Sequence, residues 1–325
     1  MMRVCVLYDV ETYGFSPAAF LKHYPCEWEM VTLRDNVRET IKQLVEQNKY
    51  DLYFNLCDGT ADEEYPGIEV IETLEELNVA FTGASSNCYD PTREEMQAVA
   101  DTNAISFAKG YRVHEGEDVV GITKNLRFPL MVKHPQSYGS WAMKKNSRVD
   151  DVEQLRTQFN LMAEKFGAAR VEEFIIGREF NVFIVDNPDD LSNPFVYPPT
   201  ELIFPPNEEF WHEDVKWDYS VPFEFREVTE KALIARLHDI GRKFYLAMGC
   251  TGYGRCDIRM NDKGELFILE INPNGGILYL PEEYGPADFM ILFDKDGYYG
   301  FFDRIFRSAF VRQKMRAEKK QILVK

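Results

Sequence analysis

Between residues 252 and 272 the residue types spell out a β-hairpin. Gly252-Tyr253-Gly254-Arg255-Cys256-Asp257-Ile258-Arg259-Met260 is followed by the turn residues Asn261-Asp262-Lys263-Gly264. Glu265-Leu266-Phe267-Ile268-Leu269-Glu270-Ile271-Asn272 then alternates with the period of a strand. With Asp262-Lys263 at the turn centre, 255 lies opposite 270 and 257 opposite 268. Phe267, Leu269 and Ile271 then face a core, while Arg255, Asp257, Glu270 and Asn272 converge on the other face. Two carboxylates and an amide oxygen beside an arginine suit a hard cation that also carries phosphates. An exposed hairpin face laced with ion pairs would use the same residue types. The segment that follows, Asn272-Pro273-Asn274-Gly275-Gly276, favours the first reading, because a Gly-Gly loop lets backbone N–H groups approach a ligand closely.

Ahead of the hairpin, residues 4–8, 51–56 and 79–83 are short apolar runs separated by helical periodicity at 36–47 and 67–77, which predicts a small parallel α/β unit with ligands at its strand ends. From Asp90-Pro91 the style changes. A helix over 92–102 leads to a strand over 128–133 that ends in Lys133, and His134-Pro135-Gln136-Ser137-Tyr138-Gly139-Ser140 then reads as a flap over phosphates. A helix over 152–166 and strands over 170–175 and 179–185 follow, then a Pro-rich stretch over 186–222 with little periodicity, a length of loop that is usually functional. Phe302, Ile305, Phe306, Ala309 and Phe310 place a docking helix at the carboxyl end, with eight bases against Asp303 and Glu318 and a frayed basic tip.

The formal charge is −17. That disfavours a nucleic-acid backbone or an anionic membrane as a partner. Cys5, Cys26, Cys57, Cys88, Cys250 and Cys256 are dispersed and the five histidines show no ligand spacing, so neither a zinc site nor a disulfide is expected. With no signal-peptide pattern and no apolar run long enough to span a bilayer, the expectation is a reduced, cytoplasmic protein. Walker, G-x-G-x-x-G, H-E-x-x-H and G-x-S-x-G motifs do not occur.

Taken in order, Lys133 with Gly139-Ser140, Glu172-Glu173-Phe174-Ile175-Ile176-Gly177-Arg178-Glu179-Phe180, Lys216, Gly254-Arg255-Cys256-Asp257 and Leu269-Glu270-Ile271-Asn272 resemble the ATP-grasp superfamily, and within it the D-alanine:D-alanine ligases. The resemblance covers about residues 50–280. It implies an α/β (α+β) ATP-grasp fold with an amino-terminal parallel α/β domain at 1–91, a central lid domain at 92–176 and a catalytic domain with the basic terminal helix at 177–325. By position, Asp257, Glu270 and Asn272 look like ligands of two magnesium ions, which manganese could replace, bridging the phosphates of ATP. Lys133 and Lys216 look like phosphate contacts, and Glu172, Glu173, Ile175 and Leu269 like the adenine hinge. Glu179 matches the ribose carboxylate and Arg255 the residue that steadies the transferred phosphoryl group, while Ser140 and the Gly276 amide match substrate-side contacts.

The activity implied is ATP-dependent carbon–nitrogen ligation of small amino-acid-like substrates through an acyl phosphate. Neither nucleic acid nor membrane is implied, and a homodimer is allowed. Trp141, Trp217 and Tyr279 depart from the family pattern on the amino-acid side, so the implied substrate is not D-alanine; Glu11 and Arg93 are candidates for the ammonium and nucleotide contacts. Two other readings stay open, a non-catalytic nucleotide-binding regulatory module and a ligase that modifies a peptide or protein.

Overall fold

The computed structural model describes residues 1–9, 17–22, 24–60, 65–136, 140–216 and 223–323. Strands β1 (Met2–Tyr8), β2 (Cys26–Thr32) and β3 (Leu52–Asn55) form a parallel sheet in the order β2-β1-β3. Parallel strands are stable when covered on both faces. One face of this sheet, with Cys5, Leu7 and Tyr53, packs on Val37 and Ile41 of helix α1 (Val37–Glu46) and on Val70, Ile71 and Leu74 of α2 (Ile68–Glu76).

Helix α3 (Arg93–Thr102) starts at a capping box in which the Thr92 hydroxyl accepts from the Glu95 N–H and the Glu95 carboxylate accepts from the Thr92 N–H. A second sheet follows, antiparallel in the order β4-β7-β5-β6, built from β4 (Gly110–His114), β5 (Leu130–Lys133), β6 (Arg148–Val149) and β7 (Ala168–Glu173). Its inner face, with Val113, Leu130, Val132, Ala169 and Val171, is covered by Leu155, Phe159 and Met162 of α4 (Val152–Phe166). Asp151 caps that helix by accepting from the N–H groups of Glu153 and Gln154, and Gly167, at a φ of +73°, ends it.

The third sheet runs β11-β10-β8-β12-β13, from β8 (Arg178–Val185), β10 (Thr200–Ile203), β11 (Glu224–Glu227), β12 (Tyr253–Met260) and β13 (Leu266–Asn272), with β9 (Phe195–Val196) also paired to β8. The Pro-rich stretch expected as loop therefore contributes two strands, and β10 joins β8 to β11. Helix α5 (Lys231–Ala247) covers one face through Leu233, Leu237, Phe244 and Tyr245. It comes so near β8 that a Cβ on Gly241 would lie 2.9 Å from Val182. Met96 and Ala100 of α3, with Ile105 and Phe107, belong to this same core, and residues 106–108 hydrogen-bond along β13 at Ile268. By packing, α3 therefore goes with the third sheet.

Helices α6 (Pro286–Phe293) and α7 (Gly297–Leu323) close the molecule. Phe301, Phe302, Ile305, Phe306 and Ala309 of α7 cover the second face of the parallel sheet, against Val4, Val6, Leu52 and Phe54, and also reach Phe183 and Tyr253 of the third sheet. Phe310, expected in this stripe, is 38% exposed, and Phe301 takes its place. The basic tip is not frayed through Lys320: Gln313 Nε2 donates to the Asn78 carbonyl, Arg316 Nη2 to that of Val79, and Lys320 Nζ to that of Glu76. These carbonyls lie at and just after the carboxyl end of α2 (Ile68–Glu76), where side-chain donors, cations above all, are well placed.

A disulfide joins Cys88 to Cys250, 162 residues apart, where unpaired cysteines were expected. Cys5, Cys57 and Cys256 are free and buried. Just beyond Cys250, Gly252 holds a φ of +70°, and a Cβ there would lie 2.3 Å from the Gly83 carbonyl oxygen. Gly252→Ala is therefore expected to cost at least about 2 kcal/mol, read as a lower midpoint in urea; an unchanged midpoint would contradict this packing.

Candidate active site

The hairpin β12–β13 has a longer turn than its residue types suggested. The Asn261 N–H donates to the Glu265 carbonyl and the Gly264 N–H to that of Asn261, with Gly264 at a φ of +76°, so Met260 pairs with Leu266. A bulge then shifts the register between Asp257 and Ile258, leaving Leu269 as the extra residue of β13. Together the two offsets set Arg255 opposite Asn272 and Asp257 opposite Glu270, rather than 255 opposite 270. The bulge also reverses which side chains face the core. Leu266, Ile268 and Ile271 are buried under α5, whereas Phe267 and Leu269, expected in the core, turn to the same face as Glu270 and Asn272.

The four expected residues do share that face. Arg255 donates through Nε and Nη2 to the two carboxylate oxygens of Asp257, at 2.8 and 3.1 Å. Burial opposes the charge of Arg255, but the Asp257 carboxylate outweighs it and raises the arginine pKa. Asn181, in register with Asp257 on β8, donates from Nδ2 to Asp257 Oδ1 at 2.7 Å. Asn272 Oδ1 accepts from the Asn274 N–H, which orders the Gly-Gly loop, and Asn274 Nδ2 ties that loop to the Tyr89 carbonyl. Glu270 forms an ion pair with Arg93 at the start of α3, which brings the nucleotide candidate Arg93 into the site.

The outer face of the second sheet supplies the opposite wall. Lys133 pairs with Glu172, and Arg170 Nε donates to the same carboxylate at 2.9 Å. Burial alone would push the Glu172 carboxyl up, yet Lys133 and Arg170 prevail and hold it below the usual range. Burial pulls the Lys133 ammonium down against the opposing pull of Glu172, and Arg93 also acts on it, so the Lys133–Glu172 pair lies beside the Arg93–Glu270 pair. Glu173 does not join them. Strand alternation sends its side chain to the other face, where it accepts from the Arg127 backbone N–H at 3.0 Å and pairs with the Arg127 guanidinium.

Glu179 and Ile175 meet around a residue the sequence reading did not select. Arg259, 2% exposed, donates from Nε to Glu179 at 2.8 Å and from Nη1 to the Ile175 carbonyl at 3.0 Å, and lies over the Phe174 ring. Its parity with Arg255 and Asp257 along β12 was the available signal. Asn181, two residues after Glu179 on β8, carried the same signal. Its Oδ1 is buried without a hydrogen-bond partner.

On the substrate side, Gly276 lies beneath Tyr279, since a Cβ there would sit 2.2 Å from the Tyr279 hydroxyl. The Ser140 hydroxyl donates to the Trp211 carbonyl at 2.7 Å. Lys216 ends a short helix, Glu213–Lys216, and its side chain lies outside the described residues, as do Glu11 and Trp217. The loop after Gly276 is stapled by Asp288, which accepts from the Leu278 N–H at 2.7 Å, the Tyr298 hydroxyl at 2.7 Å and the Gly285 N–H at 3.1 Å. Burial pushes the Asp288 carboxyl up to about 6, against the pull of those donors. Because the folded value exceeds the ordinary one, the proton on Asp288 favours folding below about pH 4, and that contribution is lost as pH rises through about 6. Wild type is therefore expected to lose on the order of 3 kcal/mol relative to Asp288→Asn between pH 4 and 7, measured by urea unfolding at each pH. A pH-independent difference would contradict the assignment.

Among the described residues no three His, Cys, Asp or Glu side chains form a metal cage. The donors at hand are carboxylate and amide oxygens, with the unpartnered Asn181 Oδ1 beside them. Such a set fits magnesium, which takes one or two carboxylates and fills its shell with water and phosphate oxygens.

A family model described as D-ala D-ala ligase C-terminus matches residues 98–280. An uncharacterized protein of Sinorhizobium fredii is 26% identical over 232 residues, 70% of this chain and 66% of its own length. A D-alanine–D-alanine ligase of Francisella philomiragia is 30% identical over 156 residues, 47% of either chain. The chain thus spans just under two thirds of the first relative and about half of the second. Among solved structures, the D-alanine–D-alanine ligase from Bacillus anthracis complexed with ATP superposes with a TM-score of 0.68 at 17% identity, over 97% of this chain and 99% of that one, a likeness of fold. With the match extending over more than half its length and the architecture agreeing throughout, the chain belongs to the D-ala D-ala ligase C-terminus family and has the ATP-grasp fold.

Proposed function

We propose that the protein is an ATP- and magnesium-dependent carboxylate:amine ligase that joins small amino-acid-like substrates, with working units at 1–91, 92–176 and 177–325, of which the second gives its first helix, α3, to the core of the third, and with the nucleotide between the last two. The observation that carries this reading is the juxtaposition of two charged walls: Arg255, Asp257, Glu270 and Asn272 on one, Lys133 and Glu172 on the other, with Arg93 between them. Phosphoryl transfer needs alignment and charge neutralisation more than covalent help, and such walls supply both. The family match and the ATP-bound relative support the nucleotide.

In this reading Asp257, Glu270 and Asn272 hold magnesium, which when bound neutralises the phosphates. Lys133, Arg93 and Lys216 take phosphate oxygens. Glu179 takes the ribose, and Phe174, Ile175 and Leu269 enclose the adenine beside Glu172 and the backbone of Glu173. Arg255 faces the reacting group, and the Gly276 amide, under Tyr279, faces the substrate. A substrate carboxylate oxygen attacks the γ-phosphorus and the bond to the bridging oxygen breaks, releasing ADP. The amine nitrogen then attacks the acyl carbon, the carbon–oxygen bond breaks to release phosphate, and the amine proton passes to solvent. Holding acid and amine side by side makes the second step effectively intramolecular. The test is ADP release by the full chain with ATP, magnesium and paired amino acids. A pair that gives one ADP per amide formed, abolished by EDTA, supports the proposal; failure of every pair, with nucleotide affinity unchanged in Asp257→Asn, overturns it.

A further inference from the structure

Antiparallel register sets four residues side by side across the third sheet. Thr200 of β10 lies opposite Asn181 of β8, Asn181 opposite Asp257 of β12, and Asp257 opposite Glu270 of β13. Directly opposed residues point to the same face, so the row runs over the face that carries Arg255 and Asn272, with adjacent strands about 4.8 Å apart. Asp257 and Glu270 are the proposed magnesium ligands. Thr200 is wholly buried and Asn181 is 3% exposed. Among the described residues the Thr200 hydroxyl and Asn181 Oδ1 are both buried without a hydrogen-bond partner.

The Asn181 amide has only one way to turn. Its Nδ2 donates to Asp257 Oδ1 at 2.7 Å, and the flipped amide would set a carbonyl oxygen against that carboxylate. Oδ1 is therefore left for another partner. Packing alone argues against both side chains. The alternate residues of β8, Phe180, Val182 and Ile184, fill the core under α5, and Phe183, next after Asn181 on its own face, fills a core as well. Valine at 200 and leucine at 181 would occupy much the same volume and leave no polar atom unpaired. Buried polar groups that break the packing rule mark places where function sets the residue.

We propose that Asn181 is a positioning residue for magnesium: its Nδ2 fixes the Asp257 carboxylate, and its Oδ1, with the Thr200 hydroxyl oxygen, accepts from waters of the ion's shell. The inference rests on the ligase reading for the presence of the ion. Magnesium gives up its waters reluctantly and is held by few carboxylates, so several waters stay on it. Each of those turns a lone pair to the ion and has two hydrogens to give, which calls for acceptors nearby. Asn181 Oδ1 and Thr200 Oγ1 are acceptors at adjacent places in the row that ends in Asp257 and Glu270. A lysine or arginine in their place would repel the ion, and further carboxylates would repel the phosphates that share it. Outer partners of this kind set both the orientation of a metal ligand and the affinity of the site.

Two variants of nearly unchanged shape test it: Thr200→Val, which loses the hydroxyl alone, and Asn181→Leu, which loses both halves of the amide. The full chain is titrated calorimetrically with a non-hydrolysable ATP analogue at a series of magnesium concentrations, and urea unfolding is followed without either. Thr200→Val is expected to need several-fold more magnesium for half-maximal binding of the analogue, and Asn181→Leu at least about tenfold more. Affinity for the analogue without magnesium should match wild type in both. The urea midpoint of Thr200→Val should hold or rise, because the change removes an unpaired hydroxyl. An unchanged magnesium requirement in either variant overturns the proposal. So does an affinity that falls equally with and without magnesium, which would put the two residues on the nucleotide itself, and so does a lower urea midpoint in Thr200→Val, which would show its hydroxyl paired within the fold. Wild type separates the two readings. If magnesium does not strengthen its binding of the analogue, the ligase reading falls, whereas magnesium-dependent binding that both variants retain unchanged leaves the ligase standing and sinks this role.

Discussion

Asp257→Asn is expected to slow ADP release by about 10²- to 10³-fold. Three contacts converge on this carboxylate: two from Arg255 and one from Asn181. Asparagine keeps the shape and one acceptor oxygen but removes the charge, so the site loses the anion proposed to hold magnesium. Arg255, which burial already opposes, also loses its counter-ion. Removing one partner of a buried pair is costly, about 3 kcal/mol or more, so part of the loss could come from destabilisation. Two measurements separate the causes. Thermal unfolding reports the structural cost, and the magnesium dependence of nucleotide binding reports the ligand role. If Asp257 holds magnesium, the variant needs at least about tenfold more magnesium for half-maximal ATP binding. If it only anchors Arg255, the magnesium requirement stays the same while the melting temperature falls.

The expected face at Asp257 was visible in the sequence because strand parity is a local property. Parity survives an error of two residues, and the reading of the hairpin was wrong by two. What residue types could not supply was the turn length or the bulge at Leu269. Both depend on how backbone hydrogen bonds close at Asn261 and Gly264 and on how Ile271 finds the α5 core. Arg259 and Asn181 shared the same parity and went unnoticed, because an arginine or asparagine in a strand carries no signal until its partner is known. The Cys88–Cys250 pair, 162 residues apart, lies beyond any spacing rule. Ser140 shows a different limit. A resemblance assigns a serine to a position, but the Trp211 carbonyl decides where its hydroxyl goes. Glu173 shows it too, as alternation along β7 separates it from its neighbour Glu172.

Asp186→Ala is expected to be the most destabilising single change outside the apolar core, by about 3–5 kcal/mol, or roughly 10 °C in melting temperature. Asp186, wholly buried just after β8, accepts from the Tyr245 hydroxyl of α5 at 3.0 Å and the Gly252 N–H at 2.9 Å. It also accepts from Arg312 of α7 through Nε and Nη2, at 2.9 and 3.0 Å. One carboxylate thus ties the helix behind the third sheet, the turn that launches β12 and the carboxyl-terminal helix. Removing it leaves three donors without an acceptor, one of them a guanidinium that burial already opposes. Arg312→Ala should cost less, because Tyr245 and Gly252 still satisfy much of the carboxylate. Deleting residues 313–325 should cost less again, about 1 kcal/mol, since Gln313, Arg316 and Lys320 satisfy carbonyls that water can reach. Melting temperatures in the order tail deletion, Arg312→Ala, Asp186→Ala, from highest to lowest, would establish Asp186 as the anchor of α7. A tail deletion as damaging as Asp186→Ala would instead locate the anchor in the basic tip. Because Gly252 leads directly to Tyr253 and Arg255, loss of Asp186 in the proposed ligase should also raise the KM for the carboxylate substrate more than that for ATP, a split that uniform unfolding would not produce.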